Sequence, residues 1–126
     1  MTKQVVFAEN APRAAGPYSH AIIANGMVYT AGQVGIVLAE GKMIEGGIRE
    51  QTEQVLKNLR TVLEAAGSSL DKVVKISVFL ANMDDFAEMN TIYATFFPDA
   101  PPARTTIQAG RLPIGALVEI ESIAVL

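Results

Sequence analysis

The sequence predicts an α+β fold in the order β-β-β-α-β-α-β-β, with two helices on one face of a mixed sheet. A long segment repeats apolar residues at helical spacing, and short β-branched segments lie on either side of it. Asn25-Gly26 separates two of the β-branched segments, as the turn of a hairpin would. The 126 residues contain no repeat or linker, so a single domain over 1–126 is expected.

The first half of the chain contains three predicted strands and a helix. They are expected at 3–7, 18–24, 27–31 and 48–66. The helix is the clearest element, because its apolar residues form one stripe and its charged residues cover the other side. Gly67 follows it as a C-terminal stop. Segment 35–47 is punctuated by glycines and is expected to be irregular, with a short strand at most.

The second half contains a strand at 73–80, a helix at 85–97 and two closing strands around Arg104 and Glu119. The strand at 73–80 alternates, and one of its faces is expected to carry Val74, Ile76, Val78 and Leu80. Asp85 and Glu88 have the spacing of a capping box, which predicts the start of the second helix. Its apolar stripe is expected to comprise Phe86, Met89, Tyr93 and Phe96.

Composition indicates an oligomer. Half of the residues are hydrophobic and only 18% are charged, which leaves little polar cover for a small monomer. The sheet face without helices is therefore expected to pack against another subunit. The net charge is −3 and no run of lysine or arginine occurs, so no nucleic-acid partner is expected.

Several enzyme classes are excluded or disfavoured. The chain has no cysteine and one histidine, His20, so a thiol nucleophile is excluded and a metal site or other cofactor is not expected. We expect His20 to lie outside the functional site. No phosphate-binding glycine loop or nucleophile elbow occurs. The absence of a signal-type segment and of about 20 consecutive apolar residues predicts a cytoplasmic protein without membrane contact.

Arg104 is the main candidate for ligand recognition. It lies in a mostly apolar, β-branched strand, where a guanidinium is costly to desolvate unless an anion meets it. Its planar fork matches a carboxylate. Two interpretations stay open: Arg104 pairs with Glu119 or Glu121 in the same chain, or it binds a substrate carboxylate.

Glu119 and Glu121 occupy alternate positions of the last strand, so both are expected on one face. One of them is a candidate general base or water-orienting group, and the other a structural partner. The alternative is that both lie at a solvated edge.

Three further positions are candidates for a small-molecule site. Tyr18 follows the rigid Gly16-Pro17 pair, Gly32 ends a strand and permits close approach to its backbone, and Asn90 lies on the second helix between apolar neighbours. Each also has an ordinary structural explanation. Tyr18 is then an aromatic residue of the core, Gly32 part of a turn, and Asn90 a contact between the helix and a loop.

In their order along the chain, these segments resemble the Rid family of reactive-intermediate deaminases, specifically its RidA branch. The resemblance covers nearly the whole chain, and the joint order of the motifs is more specific than any one of them. The motifs are Ala11-Pro12, Gly16-Pro17-Tyr18-Ser19, Thr30-Ala31-Gly32-Gln33-Val34, Asp85-Phe86, Asn90, Tyr93, Pro102-Ala103-Arg104-Thr105 and the final strand from Val118 to Val125.

The resemblance implies a chorismate-mutase-like α+β fold and a homotrimer with a barrel-like core and sites in the clefts between subunits. It implies cofactor-free hydrolysis of small 2-imino or enamine acids, such as 2-aminoacrylate, 2-iminopropanoate and 2-iminobutanoate. The products are a 2-keto acid and ammonia. In this reading Arg104 binds the substrate carboxylate, Glu119 contacts the attacking water, and Tyr18 lines the cleft from the neighbouring subunit.

The resemblance also implies that Gly32 and Thr106 fall where backbone groups meet the ligand, and that Asn90 is near the pocket. Thr106 departs from the family pattern, because many members carry a cysteine there. A main-chain group is thought to act at that position, so we expect activity to survive the change. Gly35 replaces a frequent proline, which is expected to loosen its loop.

Three alternatives remain at the level of sequence. The first is a trimer that binds small carboxylates without turnover, as a sensor or regulator would. The second is a ribonuclease or translation inhibitor, which the acidic balance and the single histidine disfavour. The third is an isomerase of the chorismate-mutase type, which would need more than one well-placed cation for a dianionic substrate.

Overall fold

A six-stranded mixed sheet carries two α-helices on one of its faces in this computed structural model, which describes residues 2–126. The strands of the sheet are β1 (Gln4–Val6), β2 (Ala21–Ala24), β3 (Met27–Thr30), β6 (Val73–Leu80), β7 (Ala103–Gln108) and β8 (Val118–Val125), in the order β1-β2-β3-β8-β6-β7. The helices are α1 (Ile48–Ala65) and α2 (Phe86–Phe96), and a small separate hairpin comprises β4 (Ile36–Val37) and β5 (Lys42–Met43). The expected α+β class and element order are confirmed, with this hairpin added.

Local sequence explains the turn and the helix of the first half. Asn25 and Gly26 have φ of 57° and 75°, as the predicted primed hairpin turn requires. Helix α1 begins after Gly47, whose N–H donates to Glu50 Oε1 at 2.8 Å. It ends before Gly67, whose φ of 87° allows the chain to leave the helix. The fully buried side of α1 comprises Val55, Leu56, Leu59, Val62 and Leu63.

Strands β6 and β7 are parallel, and α2 connects them as the crossover helix. This connection places α2 over the β6–β7 pair, so that residues of β7 on the helical side of the sheet contact α2. The register pairs Ile76 with Arg104 and Val78 with Thr106. Since Ile76 and Val78 are fully buried beneath the helices, Arg104 and Thr106 belong to that same side.

Two local predictions are wrong. Val74 is 45% exposed, because the β6–β8 register shifts between Val73 and Lys75 and turns Val73 inward in its place. Asp85 makes no side-chain cap at α2. A 3₁₀ turn over Met83–Asp85 leads into the helix instead, and Asn82 Oδ1 caps that turn by accepting from the Asp84 N–H at 2.9 Å.

The sheet face opposite the helices, called here the outer face, is open and carries several apolar side chains. Its exposed side chains include Val5, Tyr29, Ile107 and Val125. Each is between 38% and 48% exposed, whereas the helical side of the sheet is filled by the core. The expectation of an uncovered apolar sheet face is therefore confirmed.

Candidate functional site

Arg104 lies on the helical side of the edge strand β7, and aromatic rings of α2 support it. Its guanidinium carbon is 4.6 Å from the ring centre of Tyr93 and 5.6 Å from that of Phe86. Within residues 2–126 no carboxylate lies within ion-pairing distance of the Arg104 guanidinium. The ion pair found in this range joins Lys57 to Glu53, both on α1. The interpretation that Arg104 pairs with Glu119 or Glu121 within the chain is therefore wrong. The guanidinium therefore has no carboxylate partner within the described chain.

Three unpartnered polar atoms lie on β7 and α2, the two elements that hold this arginine and its aromatic neighbours. Asn90 Oδ1, Tyr93 Oη and Thr106 Oγ1 are buried and make no hydrogen bond within the described chain. Thr106 follows Arg104 by two positions on the same side of β7, and Asn90 lies on α2 between the two rings that contact Arg104. Buried polar groups normally have partners, so such a cluster is a candidate site for a polar ligand.

Glu119 lies on the outer face of β8 and packs against Gly32. A Cβ atom at position 32 would overlap the Glu119 carboxylate, so only glycine leaves room for it. Burial raises the pKa of Glu119, and the negative charge of Glu121 raises it further. Glu121 is more exposed and lies on the same face, as the alternation of the strand predicted. The structure thus brings Gly32 and Glu119 together as a pair.

The two halves of the predicted site do not meet within one chain. In the strand register, Glu119 of β8 is opposite Phe79 of β6, and Arg104 of β7 is opposite Ile76 of β6. Glu119 and Arg104 therefore lie two strands apart across the sheet and three residues apart along it. They also point to opposite faces. Strand spacing and rise place their backbones roughly 14 Å apart. A site that uses both residues therefore needs a second copy of the chain.

Tyr18 lies away from both groups, in the loop before β2. It is 46% exposed, and its hydroxyl accepts from the Ala15 N–H at 3.1 Å. It borders a surface cavity of about 820 Å³ that neither Arg104 nor Glu119 lines. Strand β2 begins only at Ala21, so the prediction that Tyr18 starts this strand is wrong.

His20 is part of the fold rather than of either half-site. Its Nδ1 accepts from the Ala8 N–H and its Nε2 donates to the Pro12 carbonyl, both at 2.8 Å, and its side chain is buried. Both ring nitrogens are therefore engaged by backbone groups.

Sequence reasoning missed the aromatic support of Arg104. It assigned Phe86 and Tyr93 to the core-facing stripe of the second helix, and Tyr93 is indeed buried. Their seven-residue separation, combined with a crossover helix that joins two parallel strands, was the available signal.

No cluster of three potential metal ligands occurs in the described range 2–126. Neither helix there has the length and hydropathy to cross a bilayer.

The fold and these side chains define a small α+β protein with a guanidinium that has no carboxylate partner in the described chain and a separate glutamate, Glu119, of raised pKa. Residues 8–126 match the family described as Endoribonuclease L-PSP, and the chain belongs to this family, which includes the Rid proteins. The resemblance recognised in the sequence is therefore confirmed.

Relatives support this assignment along the whole chain. A mouse protein named 2-iminobutanoate/2-iminopropanoate deaminase is 45% identical over 98% of this chain and 91% of its own. An Entamoeba histolytica structure named for endoribonuclease L-PSP superposes with a TM-score of 0.96 at 50% identity, covering 99% of this chain and 100% of that one. The Escherichia coli TdcF structure with bound serine gives 0.92 at 32% identity, with 98% of both chains covered. A related Arabidopsis thaliana protein, Reactive Intermediate Deaminase A, is named as chloroplastic, so the relatives do not share one compartment.

Proposed function

We propose that this protein is a cytoplasmic, cofactor-free deaminase of small 2-imino and enamine acids, acting as a homotrimer with sites between subunits. Arg104 binds the substrate carboxylate, and Glu119 of an adjacent copy orients and activates water. Tyr18, Gly32, Asn90 and Thr106 complete the binding surface. The names of the relatives support the substrate class.

The observation that carries this proposal is the state of Arg104. A partly buried guanidinium without a carboxylate is unfavourable in isolation and becomes favourable when a carboxylate ligand binds. The two rings restrict its orientation, so little side-chain freedom is lost on binding. A 2-imino acid supplies the required carboxylate next to its reactive C=N carbon.

The chemistry needs positioning and one base. An imine is electrophilic when protonated, so water attacks its carbon without a covalent nucleophile. Glu119 accepts a proton from that water, and its raised pKa makes it a better base than an ordinary glutamate. The attack forms a carbinolamine, with a new C–O bond and a C–N single bond.

The same carboxyl group returns the proton. Protonated Glu119 donates to the amino group of the carbinolamine, the C–N bond breaks, and the C=O bond forms as the hydroxyl proton leaves with the ammonia as ammonium. The sum is one protonated 2-imino acid and one water giving one 2-keto acid and one ammonium ion. An enamine substrate first takes a proton on its β-carbon to become the imine.

The outer face supports the assembly. Its exposed apolar side chains need cover, and Glu119 and Gly32 lie on it. A neighbouring copy that covers this face and brings its edge strand β7 to the boundary would join Arg104 to Glu119. Strand β7 is free on one side, which leaves backbone groups available at the same boundary.

The family description includes endoribonuclease, and the geometry disfavours that activity here. His20, the one histidine of the chain, is buried and holds two backbone groups. It is therefore not available as the proton donor or acceptor of RNA cleavage.

The test couples the protein to a threonine dehydratase and follows 2-ketobutanoate release in the presence of a trap for free imine. Wild type should accelerate release, and Arg104→Ala should return the rate to that of the dehydratase alone. Arg60→Ala is the matched control, because Arg60 also lies over an aromatic ring, 5.7 Å from the centre of Phe96, on the solvent-exposed side of α1. Equal rates with and without wild type would reject turnover. Tight binding of 2-ketobutanoate in that case would favour the carboxylate-binding alternative.

A further inference from the structure

Tyr93 combines two properties that ordinary core packing does not explain. Its side chain is only 6% exposed, yet its hydroxyl makes no hydrogen bond within the described chain. The ring packs between two neighbours, the Arg104 guanidinium at 4.6 Å and the Phe97 ring at 4.8 Å. A phenylalanine would fill this space equally well, so the hydroxyl needs a separate reason.

The hydroxyl is buried on the ring that packs against the Arg104 guanidinium. Asn90 Oδ1 and Thr106 Oγ1 are also buried and unpartnered, on the helix that contacts Arg104 and two positions along from Arg104 in β7. Phe86 supports the same guanidinium at 5.6 Å and carries no hydroxyl, which shows that support alone does not require one.

We propose that Tyr93 is a second carboxylate-binding residue, whose ring fixes the plane of the Arg104 guanidinium and whose hydroxyl donates a hydrogen bond to the same ligand carboxylate. A carboxylate has about four lone-pair positions, and a bidentate arginine occupies two of them. The remaining positions accept a hydroxyl donor. This inference rests on the proposed role of Arg104 in carboxylate binding and extends that role to the Tyr93 side chain.

The protonation state of Tyr93 suits a donor. Burial raises the pKa of its hydroxyl, and the charge of Arg104 and the approach of its guanidinium N–H groups to the hydroxyl oxygen only partly oppose that change. The hydroxyl therefore stays protonated at neutral pH and does not neutralise the arginine. A neutral donor beside a cation strengthens anion binding without removing the charge that attracts the anion.

The experiment measures 2-ketobutanoate binding by calorimetry on the intact protein, without turnover. Tyr93→Phe keeps the ring and should raise Kd about tenfold, as expected for a lost hydrogen bond to a charged group. Tyr93→Leu also removes the support of the guanidinium and should raise Kd about threefold more. Phe96→Leu, which removes the ring beneath Arg60, is the control and should bind as wild type does.

Steady-state kinetics separates binding from a structural role. The carboxylate is held equally in the ground and transition states, so Tyr93→Phe should raise KM about tenfold and leave kcat within about twofold. Wild-type affinity in Tyr93→Phe would overturn the proposal, and so would a fall in kcat equal to the loss of affinity. Wild-type binding that depends on Tyr93, without imine hydrolysis, would reject the deaminase proposal alone and leave this inference standing.

Discussion

Arg104 and Glu119 lie on opposite faces of the same sheet. Arg104 faces the helices from the edge strand β7, and Glu119 lies on the outer face of β8 against Gly32. Each is held by its own neighbours, so one chain forms two half-sites. If both residues act in one site, as proposed, this arrangement makes activity depend on assembly, because a single chain holds them apart.

Arg104→Lys should lower kcat/KM by about tenfold or more. Lysine keeps the positive charge but loses the planar fork and the stacking on two rings. The folded state should change by less than about 1 kcal/mol, because Arg104 makes no ion pair with a described carboxylate. Urea unfolding and coupled-assay kinetics measure the two effects. A stability loss as large as the activity loss would mean that Arg104 serves the fold.

Glu119→Gln should be more stable than wild type at alkaline pH, although it is less active. The pKa of Glu119 is raised in the folded protein, so the folded state binds more protons than the unfolded chain between the two pKa values. Stability from this group is therefore present at low pH and falls as pH rises through that window. Unfolding near pH 8 and near pH 4, at fixed protein concentration, should give a difference only at the higher pH. A variant less stable than wild type at both values would contradict the prediction.

Glu121→Gln should shift the acidic limb of the kcat profile to lower pH. The charge of Glu121 is the second cause of the raised pKa of Glu119, and its removal lets Glu119 lose its proton sooner. High salt should shift the wild-type limb in the same direction, because it screens this exposed charge. If neither Glu121→Gln nor high salt shifts the acidic limb, that limb reports the titration of a group other than Glu119.

The sequence predicted most of the fold because local signals and tertiary packing agree over long segments. Helix α1 and strand β6 match their predicted limits within a residue. The errors at Val74 and Asp85 come from a bulge and an inserted 3₁₀ turn, which periodicity cannot register. The side of the sheet on which Arg104 lies depends on which strand pairs with β7. The residues around Arg104 do not predict that this strand is β6. Tyr93 was therefore assigned to the core, and its contact with Arg104 was missed.

Gly32→Ala should abolish most of the activity. The added Cβ displaces the Glu119 carboxylate, and a misplaced base loses the roughly 100-fold or larger contribution of proton transfer. Gly110→Ala is the matched control, since its Cβ meets no atom within 4 Å and its φ is not positive. Coupled-assay rates for both variants, compared at equal folded fraction, measure the effect. Similar losses in both would show that the Glu119 contact is unimportant.

Mixing two inactive variants should restore activity if each site takes Arg104 from one chain and Glu119 from the next. Arg104→Ala and Glu119→Gln should each be inactive alone, but a mixed ring contains boundaries where an intact Arg104 meets an intact Glu119. With random exchange at equal amounts, about a quarter of all boundaries are intact, whatever the number of subunits in the ring. The mixture, refolded or exchanged at high concentration, should therefore recover about a quarter of the wild-type rate. Arg104→Ala mixed with the double variant is the control and should stay inactive, because no boundary then carries an intact Arg104. Recovery near zero in the first mixture, with subunit exchange verified by mass, would place both residues of each site on the same chain.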